Sequence, residues 1–230
     1  MTRTRFHEAL DELKDKLLRM GGLAEQAVER AVRAYEHRDS AACRQVFEIE
    51  DAINVSERQI DELALDLLAM QQPMASDLRF ILAVIKINAD LERVGDQAVN
   101  VAQRVAEVIE LPLAELPADV PRMAAIASEM IRNALESFVQ GDADLAESVL
   151  LRDNDVDRLK RETEEAMVAQ MQRSPEQLRQ ALDVLLIARN LERVADHATN
   201  IAEDVIFWVR GADVRHHLGK TSSVVKRPLA

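Results

Sequence analysis

Apolar residues recur at alternating steps of four and three along the first 37 residues, which is the spacing of one face of an α-helix. This stripe consists of Phe6, Leu10, Leu13, Leu17, Met20, Ala24, Ala27, Ala31 and Ala34. It predicts a first helix over about 5–37. A second stripe predicts a helix over about 40–71, which ends before Pro73, and a third helix is predicted over about 75–110.

The second part of the chain repeats this arrangement after a change of composition. Residues 111–121 contain three prolines and predict a linker. Three further helices are predicted over about 120–140, 143–172 and 175–210, and Gly141 is placed to end the first of them. The six helices therefore divide three and three around the linker, and three antiparallel helices are about the fewest that enclose a core.

Polar residues at the predicted helix starts support these boundaries. Asp39 or Ser40 can cap the second helix, and Asp142 can cap the fifth. The segment 174–177 has a capping serine, a proline at the first helical position and a glutamine at the third. This pattern predicts that the sixth helix begins at its proline.

Two adjacent glycines, Gly21 and Gly22, lie inside the first predicted helix. Each glycine in a helix interior costs about 1 kcal/mol relative to alanine. A cost of this kind is typical of a place where a neighbouring helix approaches closely, and that is the interpretation we favour here.

The chain contains an internal duplication. Residues 91–102 match residues 191–202 at eight of twelve positions, with a constant separation of 100 residues. A long-period repeat indicates a duplicated structural unit. We therefore predict an all-α fold of two pseudo-symmetric three-helix bundles, with a mobile tail after them. The predicted boundaries are 1–112 and 113–218 for the two bundles and 219–230 for the tail.

Composition supports an all-α fold and restricts the partners. Apolar residues form 48% of the chain but aromatic residues only 3%, and six glycines and six prolines supply few turns. The net charge of −12 disfavours nucleic acid and attracts cations. A single cysteine, Cys43, fits a reducing compartment, and no apolar run approaches the roughly 20 residues of a membrane span. These features predict a soluble, cytoplasmic protein.

Acidic residues at four-residue spacing lie in the duplicated segment of each half. Glu92 and Asp96 form one such pair, and Glu192 and Asp196 form its equivalent. Residues four apart rise about 6 Å and share one face of a helix. Both pairs lie next to an apolar stripe, and an asparagine (Asn100 or Asn200 in the two halves) extends each row by one turn.

A second set of doublets lies on the preceding helix of each half. Glu50 and Asn54 occupy the first half, and Asp153 and Asp157 occupy the equivalent positions of the second at an offset of 103 residues. If the doublets of each half face each other, four oxygen-bearing side chains converge. Without cations this would cost several kcal/mol of repulsion and desolvation. Mg²⁺, Mn²⁺, Ca²⁺, iron or zinc would offset that cost.

An alternative interpretation is that these acids are solvated and that Arg93 and Arg193 neutralise them. Other candidate residues are weaker. His197 lies off the acidic face and is better explained as a structural histidine. His216 and His217, next to Asp213 and Arg215, could bind a metal, but a surface role at a helix end explains them better. No serine–histidine–aspartate signature, phosphate-binding glycine loop or CxxC pair appears, so we expect a protein that is not an enzyme.

The chain resembles the PhoU family of bacterial phosphate-signalling regulators over most of its length. The similar segments are MGGLAE at 20–25, Glu50 and Asn54 followed by RQIDE at 58–62, QPMASDLR at 72–79, DLERVGD at 90–96, NLERVAD at 190–196 and VRGADVRH at 209–216. The resemblance implies two three-helix bundles that hold multinuclear metal clusters through paired acid-x-x-x-acid motifs. Iron, zinc, manganese and magnesium remain open as the metal.

The metal ligands that the resemblance implies coincide with the doublets. They are Glu50, Glu92 and Asp96 in the first half, with Asn54 as a departure from the acidic pattern, and Asp153, Asp157, Glu192 and Asp196 in the second. Because Asn54 removes one anionic ligand, we expect the first site to be the weaker one or the one that holds fewer metal ions. The resemblance also implies a cytoplasmic homodimer that negatively regulates phosphate uptake. Its implied partners are the ATP-binding subunit of the phosphate ABC transporter and a membrane sensor histidine kinase. The protein would contact the membrane only through these two partners.

Two other functions remain open from the sequence. One is a carboxylate-bridged di-metal enzyme or an iron or manganese storage protein, although such bundles usually carry Glu-x-x-His motifs and no Glu here has His three residues later. The other is a metal-free structural bundle with solvated acids.

Overall fold

The computed structural model describes residues 3–71, 73, 75–113 and 116–211, and all regular secondary structure in these ranges is helical. The helices are α1 Arg3–His37, α2 Ser40–Gln71, α3 Ser76–Ile109, α4 Val120–Gln140, α5 Ala143–Arg173 and α6 Leu178–Arg210. The predicted all-α fold with six long helices is therefore confirmed. The predicted tail at 219–230 lies outside the described residues, and so do His216 and His217.

Several helix ends follow directly from local sequence chemistry. The carboxylate of Asp39 accepts backbone N–H bonds of 2.8 and 3.2 Å at the start of α2, and Asp142 accepts bonds of 2.9 and 3.0 Å at the start of α5. Helices α4 and α6 end at Gly141 and Gly211, whose φ angles of 64° and 69° are readily adopted only by glycine. The aspartate caps thus set the helix starts by binding free backbone N–H groups, and the glycines set the helix ends by interrupting the backbone hydrogen bonds.

The start of the last helix differs from the prediction. Residues Pro175–Gln177 form a separate 3₁₀ turn, and α6 begins at Leu178 instead of at the proline. The side chain of Ser174 makes no capping bond. The amide oxygen of Gln177, which a capping box would direct back to the helix start, instead accepts a bond of 2.6 Å from Gln170 on α5. Without the reciprocal cap, the chain makes one tighter turn before the α-helix begins.

The helices pack as two groups of three, α1–α3 and α4–α6, and the groups join through α3 against α6 and α1 against α4. The predicted stripe of α1 is buried except for Leu10, which is partly buried, and the buried side chains of all six helices form one continuous core. Leu13, Leu17, Ile53 and Phe138 are among the fully buried large side chains. Each contributes about 1.5–3 kcal/mol relative to an exposed position.

The interface between α3 and α6 contains polar pairs as well as apolar contacts. The pairs are Arg79 with the Trp208 carbonyl, Lys86 with Asp204, Asp90 with His197 and Asn200, and Arg104 with Asp183. Partner numbers fall on α6 as they rise on α3, so the two helices run antiparallel. His197 Nδ1 lies 2.9 Å from Asp90 Oδ1, which agrees with the structural role expected for this histidine.

The helices are amphipathic rather than apolar on all sides. Within the described ranges none of them is both long enough and apolar enough to cross a membrane. One cluster of aromatic rings lies at the junction of α3, α4 and α6, where Trp208 packs 5.3 Å from Phe80 and 5.4 Å from Phe138 between ring centroids. As the only tryptophan of the chain, Trp208 reports on the contact between the two halves.

The two glycines of α1 have different surroundings. A Cβ atom added at Gly21 would lie 2.3 Å from Leu135 Cδ1 of α4, whereas one added at Gly22 would meet no atom within 4 Å. The close approach expected from the sequence is therefore confirmed at Gly21, where α1 and α4 meet. Gly22 is exposed and has no such packing role.

The matched variants Gly21→Ala and Gly22→Ala test this contact. Gly22→Ala removes only the helix-propensity cost and should raise Tm by about 2–4 °C. Gly21→Ala gains the same propensity but displaces Leu135, so we expect it to be about 1 kcal/mol or more less stable than Gly22→Ala. Thermal unfolding followed by circular dichroism and Trp208 fluorescence measures both. Equal stabilisation by the two variants would contradict the packing assigned to Gly21.

Two candidate metal centres

The second half brings its two acidic doublets together across α5 and α6. Asp153 and Asp157 lie on α5, and Glu192 and Asp196 lie on the facing side of α6. The pKa of Asp153 is raised to about 6, first by burial and then by the negative charges of Asp157, Asp196 and Glu192. A carboxyl group responds to such charges only when they are near it. The four side chains therefore lie near enough for their charges to act on one another across α5 and α6.

Asp153 is the least satisfied carboxylate of this group. Its Oδ1 atom is buried and has no hydrogen-bond partner. The pKa values of Glu192 and Asp196 are also raised, in each case first by desolvation. Buried polar atoms are normally paired, because an unpaired one costs free energy. This cluster thus holds negative charge that the described residues do not fully compensate.

The first half has a related arrangement between α2 and α3. The pKa of Glu92 is raised by desolvation, then by the charges of Asp96, Glu57 and Glu50, while Arg93 opposes the shift. At Glu92, burial and the neighbouring negative charges therefore outweigh the positive charge of Arg93. Asn54 directs its amide Nδ2 to Glu50 Oε1, so it occupies the predicted position in the doublet as a hydrogen-bond donor.

Close helix packing supports the cluster in the first half. A Cβ atom added at Gly95 would lie 3.0 Å from Ile53 Cδ1. Ile53 precedes Asn54 on α2, and Gly95 precedes Asp96 on α3. The missing side chain at Gly95 therefore lets the two helices approach at the level of the acidic residues.

Glu57 belongs to the first cluster and was not among the predicted ligands. It lies seven residues after Glu50 and three after Asn54, so it shares their face of α2. That spacing is visible in the sequence and could have identified it. The equivalent position in the second half is Lys160, whose Nζ lies 3.1 Å from Glu164 Oε1 and 4.0 Å from Glu192 Oε1.

Asn200 does not extend the acidic row in the way the spacing suggested. Its Nδ2 donates a bond of 3.2 Å to Asp90 Oδ1 in the α3–α6 interface. The side chain therefore contributes to the contact between the halves. Among the predicted ligands, Asp96 and Asp196 are exposed and Glu92 and Glu192 are half-buried, so a cation could reach each centre from solvent.

The donor sets fit hard or borderline cations. Both clusters offer carboxylate oxygens, and Asp153 contributes an unpaired buried oxygen atom. In the ranges that the structure describes, no three Asp, Glu, His or Cys side chains are already close enough to hold an ion. Rotation of the side chains toward a shared cation would be needed, and the long Glu side chains allow this. A cavity of about 510 Å³ between α5 and α6 opens beside this cluster, and Asp153 is the one predicted ligand that lines it.

Comparison with known proteins places both halves in one family. The family model described as the PhoU domain matches residues 17–105 and 120–205. The "Phosphate-specific transport system accessory protein PhoU homolog" of Pseudomonas aeruginosa is 42% identical over 214 residues, which cover 92% of this chain and 88% of that protein. The homologue of the same name from Rhizobium meliloti is 36% identical and covers 90% of this chain and 88% of its own length.

Solved structures show the same architecture. The crystal structure of PhoU from Pseudomonas aeruginosa superposes with a TM-score of 0.86 at 41% identity, covering 90% of this chain and 100% of that one. The crystal structure of the phosphate transport system regulatory protein PhoU from Streptococcus pneumoniae has a TM-score of 0.83 at 26% identity, covering 91% and 99%. The two three-helix bundles of this chain are thus shared with these proteins.

Replacing Asp153 by asparagine tests the charge of the second cluster. Folding raises the pKa of this acid from 3.8 to about 6, so its stabilising effect is present below pH 3.8 and is lost as the pH rises through 6. At pH 7 and without metal, Asp153→Asn should therefore be more stable than the parent by about 1 kcal/mol, after allowance for solvent screening. Near pH 4 the difference should vanish.

Thermal unfolding in a chelating buffer at both pH values measures this difference. Asp155→Asn is the matched control, because Asp155 lies on the same helix but pairs with Arg152 and Arg158 at the surface. The control should lose up to about 1 kcal/mol, with no gain at pH 7. A pH-independent effect of Asp153→Asn would show that its carboxylate is not in a repulsive cluster.

Proposed function

Because the chain belongs to the PhoU family, we propose that it negatively regulates phosphate uptake and phosphate-regulon signalling. The observation that carries this proposal is the similarity over both halves to proteins named as accessory proteins of the phosphate-specific transport system. The similarity covers 92% of this chain and 88% of the relative from Pseudomonas aeruginosa. The proposal therefore rests on similarity over both PhoU domains and most of the relative's length.

In this proposal the protein acts as an adaptor in the cytoplasm, with a homodimer as its working form. Its partners are the ATP-binding subunit of the phosphate ABC transporter and a sensor histidine kinase. When phosphate is plentiful, the adaptor favours the phosphatase-competent state of the kinase. It meets the membrane only through these partners. The proposal assigns it no catalytic step, so its contribution is the shape and charge of its helix surfaces.

Exposed apolar residues in equivalent positions of the two halves support a docking role. Leu82 on α3 and Leu182 on α6 are 37% and 45% exposed, and one turn earlier Leu78 and Leu178 are also exposed. These pairs keep the separation of 100 residues found in the duplicated segment. Exposed apolar side chains that adjoin on one helix face, as the two leucines do on α3 and again on α6, form the kind of contiguous patch that marks an interaction surface. Because α3 and α6 run antiparallel, the leucine pair of α3 and that of α6 form separate patches at opposite ends of the α3–α6 contact. We assign these two patches, together called the docking surface, to the ATP-binding subunit of the transporter.

We also propose that each half binds metal cations through its doublets. In the first half the ligands would come from Glu50, Asn54, Glu92 and Asp96, and in the second from Asp153, Asp157, Glu192 and Asp196. Bound iron, zinc, manganese or magnesium would supply positive charge between two helices. The chain's own contribution is to hold the carboxylates of adjoining helices near each other, so that a shared cation would pin the pair and define the docking surface.

A pull-down with the ATP-binding subunit tests the docking surface. The variant Leu82→Glu/Leu182→Glu should reduce retention of the subunit at least tenfold, since two charges would have to be desolvated at the contact. Leu113→Glu is the control, because Leu113 is 80% exposed in the linker and should have no effect. Retention of the subunit by the double variant at the parental level would argue against this surface.

Metal analysis of protein purified without chelators tests the centres. Glu92→Ala/Glu192→Ala removes one carboxylate from each centre and should lower the metal content several-fold, because each lost ligand weakens binding by at least about tenfold. Glu62→Ala/Glu165→Ala is the matched control, since these acids are exposed at equivalent positions of α2 and α5. Unchanged metal content in the first variant would remove the proposed sites. Turnover of oxygen or peroxide by the iron-loaded protein would instead favour a di-metal enzyme.

A further inference from the structure

We propose that the two centres bind a divalent cation with unequal strength, the first half more tightly, because the equivalent positions 57 and 160 carry charges of opposite sign. This inference rests on the metal binding proposed above. It concerns which residues set the order of loading, and it assigns a role to Glu57 and Lys160. Neither residue belongs to the doublets from which the two centres were predicted.

The two residues occupy the same place in the duplicated frame. Ile53 and Asn54 align with Val156 and Asp157 at an offset of 103, and the same offset relates Glu57 to Lys160. Both side chains are half-buried and lie on the face of their helix that carries the doublet. Any difference between the halves at this position therefore acts directly on the neighbouring cluster.

Lys160 places a positive charge beside the second cluster. Its Nζ lies 4.0 Å from Glu192 Oε1, and the two side chains are 25% and 21% exposed, so solvent screens the pair only in part. A cation that binds Glu192 must compete with this ammonium group and be repelled by it. Glu164, 3.1 Å from Nζ, can hold the ammonium group nearby when it leaves Glu192, so the competition is reversible.

Glu57 has the opposite effect in the first half. Its backbone carbonyl accepts a bond of 3.1 Å from Asn88, which lies one turn before Glu92 on α3. The Glu57 carboxylate therefore adds its charge to those of Asp96 and Glu50 around Glu92. Asn54 lacks the charge of its equivalent Asp157, but Glu57 restores the number of carboxylates to four. The second cluster also has four carboxylates, and Lys160, which Glu164 shares, places a positive charge beside one of them. The amide oxygen of Asn54 remains a possible ligand, because hard cations also accept amide carbonyl oxygens.

This difference predicts ordered loading. As the concentration of a divalent cation rises, the centre between α2 and α3 fills first and the centre between α5 and α6 fills later. Over an intermediate range the protein is loaded in one half only. Our expectation from Asn54 alone was the reverse order, since the contribution of Glu57 depends on the packing of α2 against α3.

Single-centre proteins separate the two affinities. Glu192→Gln/Asp196→Asn leaves only the first centre, and Glu92→Gln/Asp96→Asn leaves only the second. Mn²⁺ is the probe, and electron paramagnetic resonance of the free ion measures binding at pH 7 and constant ionic strength. We expect the first-centre protein to bind Mn²⁺ about tenfold more tightly than the second-centre protein, as one changed unit charge near a divalent ion implies.

Neutral replacements then assign the difference to the two residues. Lys160→Gln in the second-centre protein should tighten Mn²⁺ binding about tenfold, and Glu57→Gln in the first-centre protein should weaken it about tenfold. Lys160→Met provides a second neutral side chain. Arg161→Gln is the matched control, since it removes the same charge from the adjacent exposed position of α5 and should change the affinity less than about twofold.

Each outcome decides the proposal. The expected order of affinities, together with opposite effects of Lys160→Gln and Glu57→Gln, supports it. Equal affinities, the reverse order, or no effect of Lys160→Gln would overturn it and leave metal binding itself intact. No Mn²⁺ binding by either single-centre protein, with Trp208 fluorescence showing both folded, would overturn metal binding and this inference together.

Discussion

The structure depends on apolar seams strong enough to hold like charges near one another. Ile53 and Leu91 are fully buried beside Asn54 and Glu92, and Val156 and Leu191 are buried beside Asp157 and Glu192. Each buried side chain of this kind contributes about 1.5–3 kcal/mol, and a seam of many turns outweighs the repulsion within one acidic cluster. The carboxylates therefore remain together although their charge is only partly compensated, which agrees with the raised pKa of Asp153 and its unpaired Oδ1 atom.

Duplication supplied two copies of this arrangement, and the copies have diverged in charge more than in shape. The apolar positions of α3 and α6 remain equivalent and buried, because a change of volume there would disturb a close-packed core. The polar positions have changed: Asn54 corresponds to Asp157, and Glu57 to Lys160. Such changes at half-buried positions cost little stability, yet they alter the field at each centre. Helices with equivalent backbones can thus hold centres that differ in charge.

The contact between the halves lies between the two centres. Asp90, two residues before Glu92, is buried against α6 and lies 2.9 Å from His197, which directly follows Asp196. Lys86 and Asp204 form a second pair in the same interface, with their Nζ and Oδ1 atoms 3.3 Å apart. Polar pairs with a buried carboxylate, such as Asp90 and Asp204, favour one register of the two helices, because a shift would leave the buried charge unpaired. The position of one centre relative to the other is therefore well defined.

The apolar spacing and the residues that cap or end helices determined by themselves the six helices, their duplication and which residues form the doublets. The apolar spacing, the caps at Asp39 and Asp142 and the end at Gly211 act within a few residues, so local chemistry suffices. Packing across helices decided what local patterns cannot encode: the pairing of Gln177 with Gln170, the contact of Asp90 with His197, and the approach of Lys160 to Glu192. These depend on which faces meet and at what depth, and both are properties of the assembled bundles.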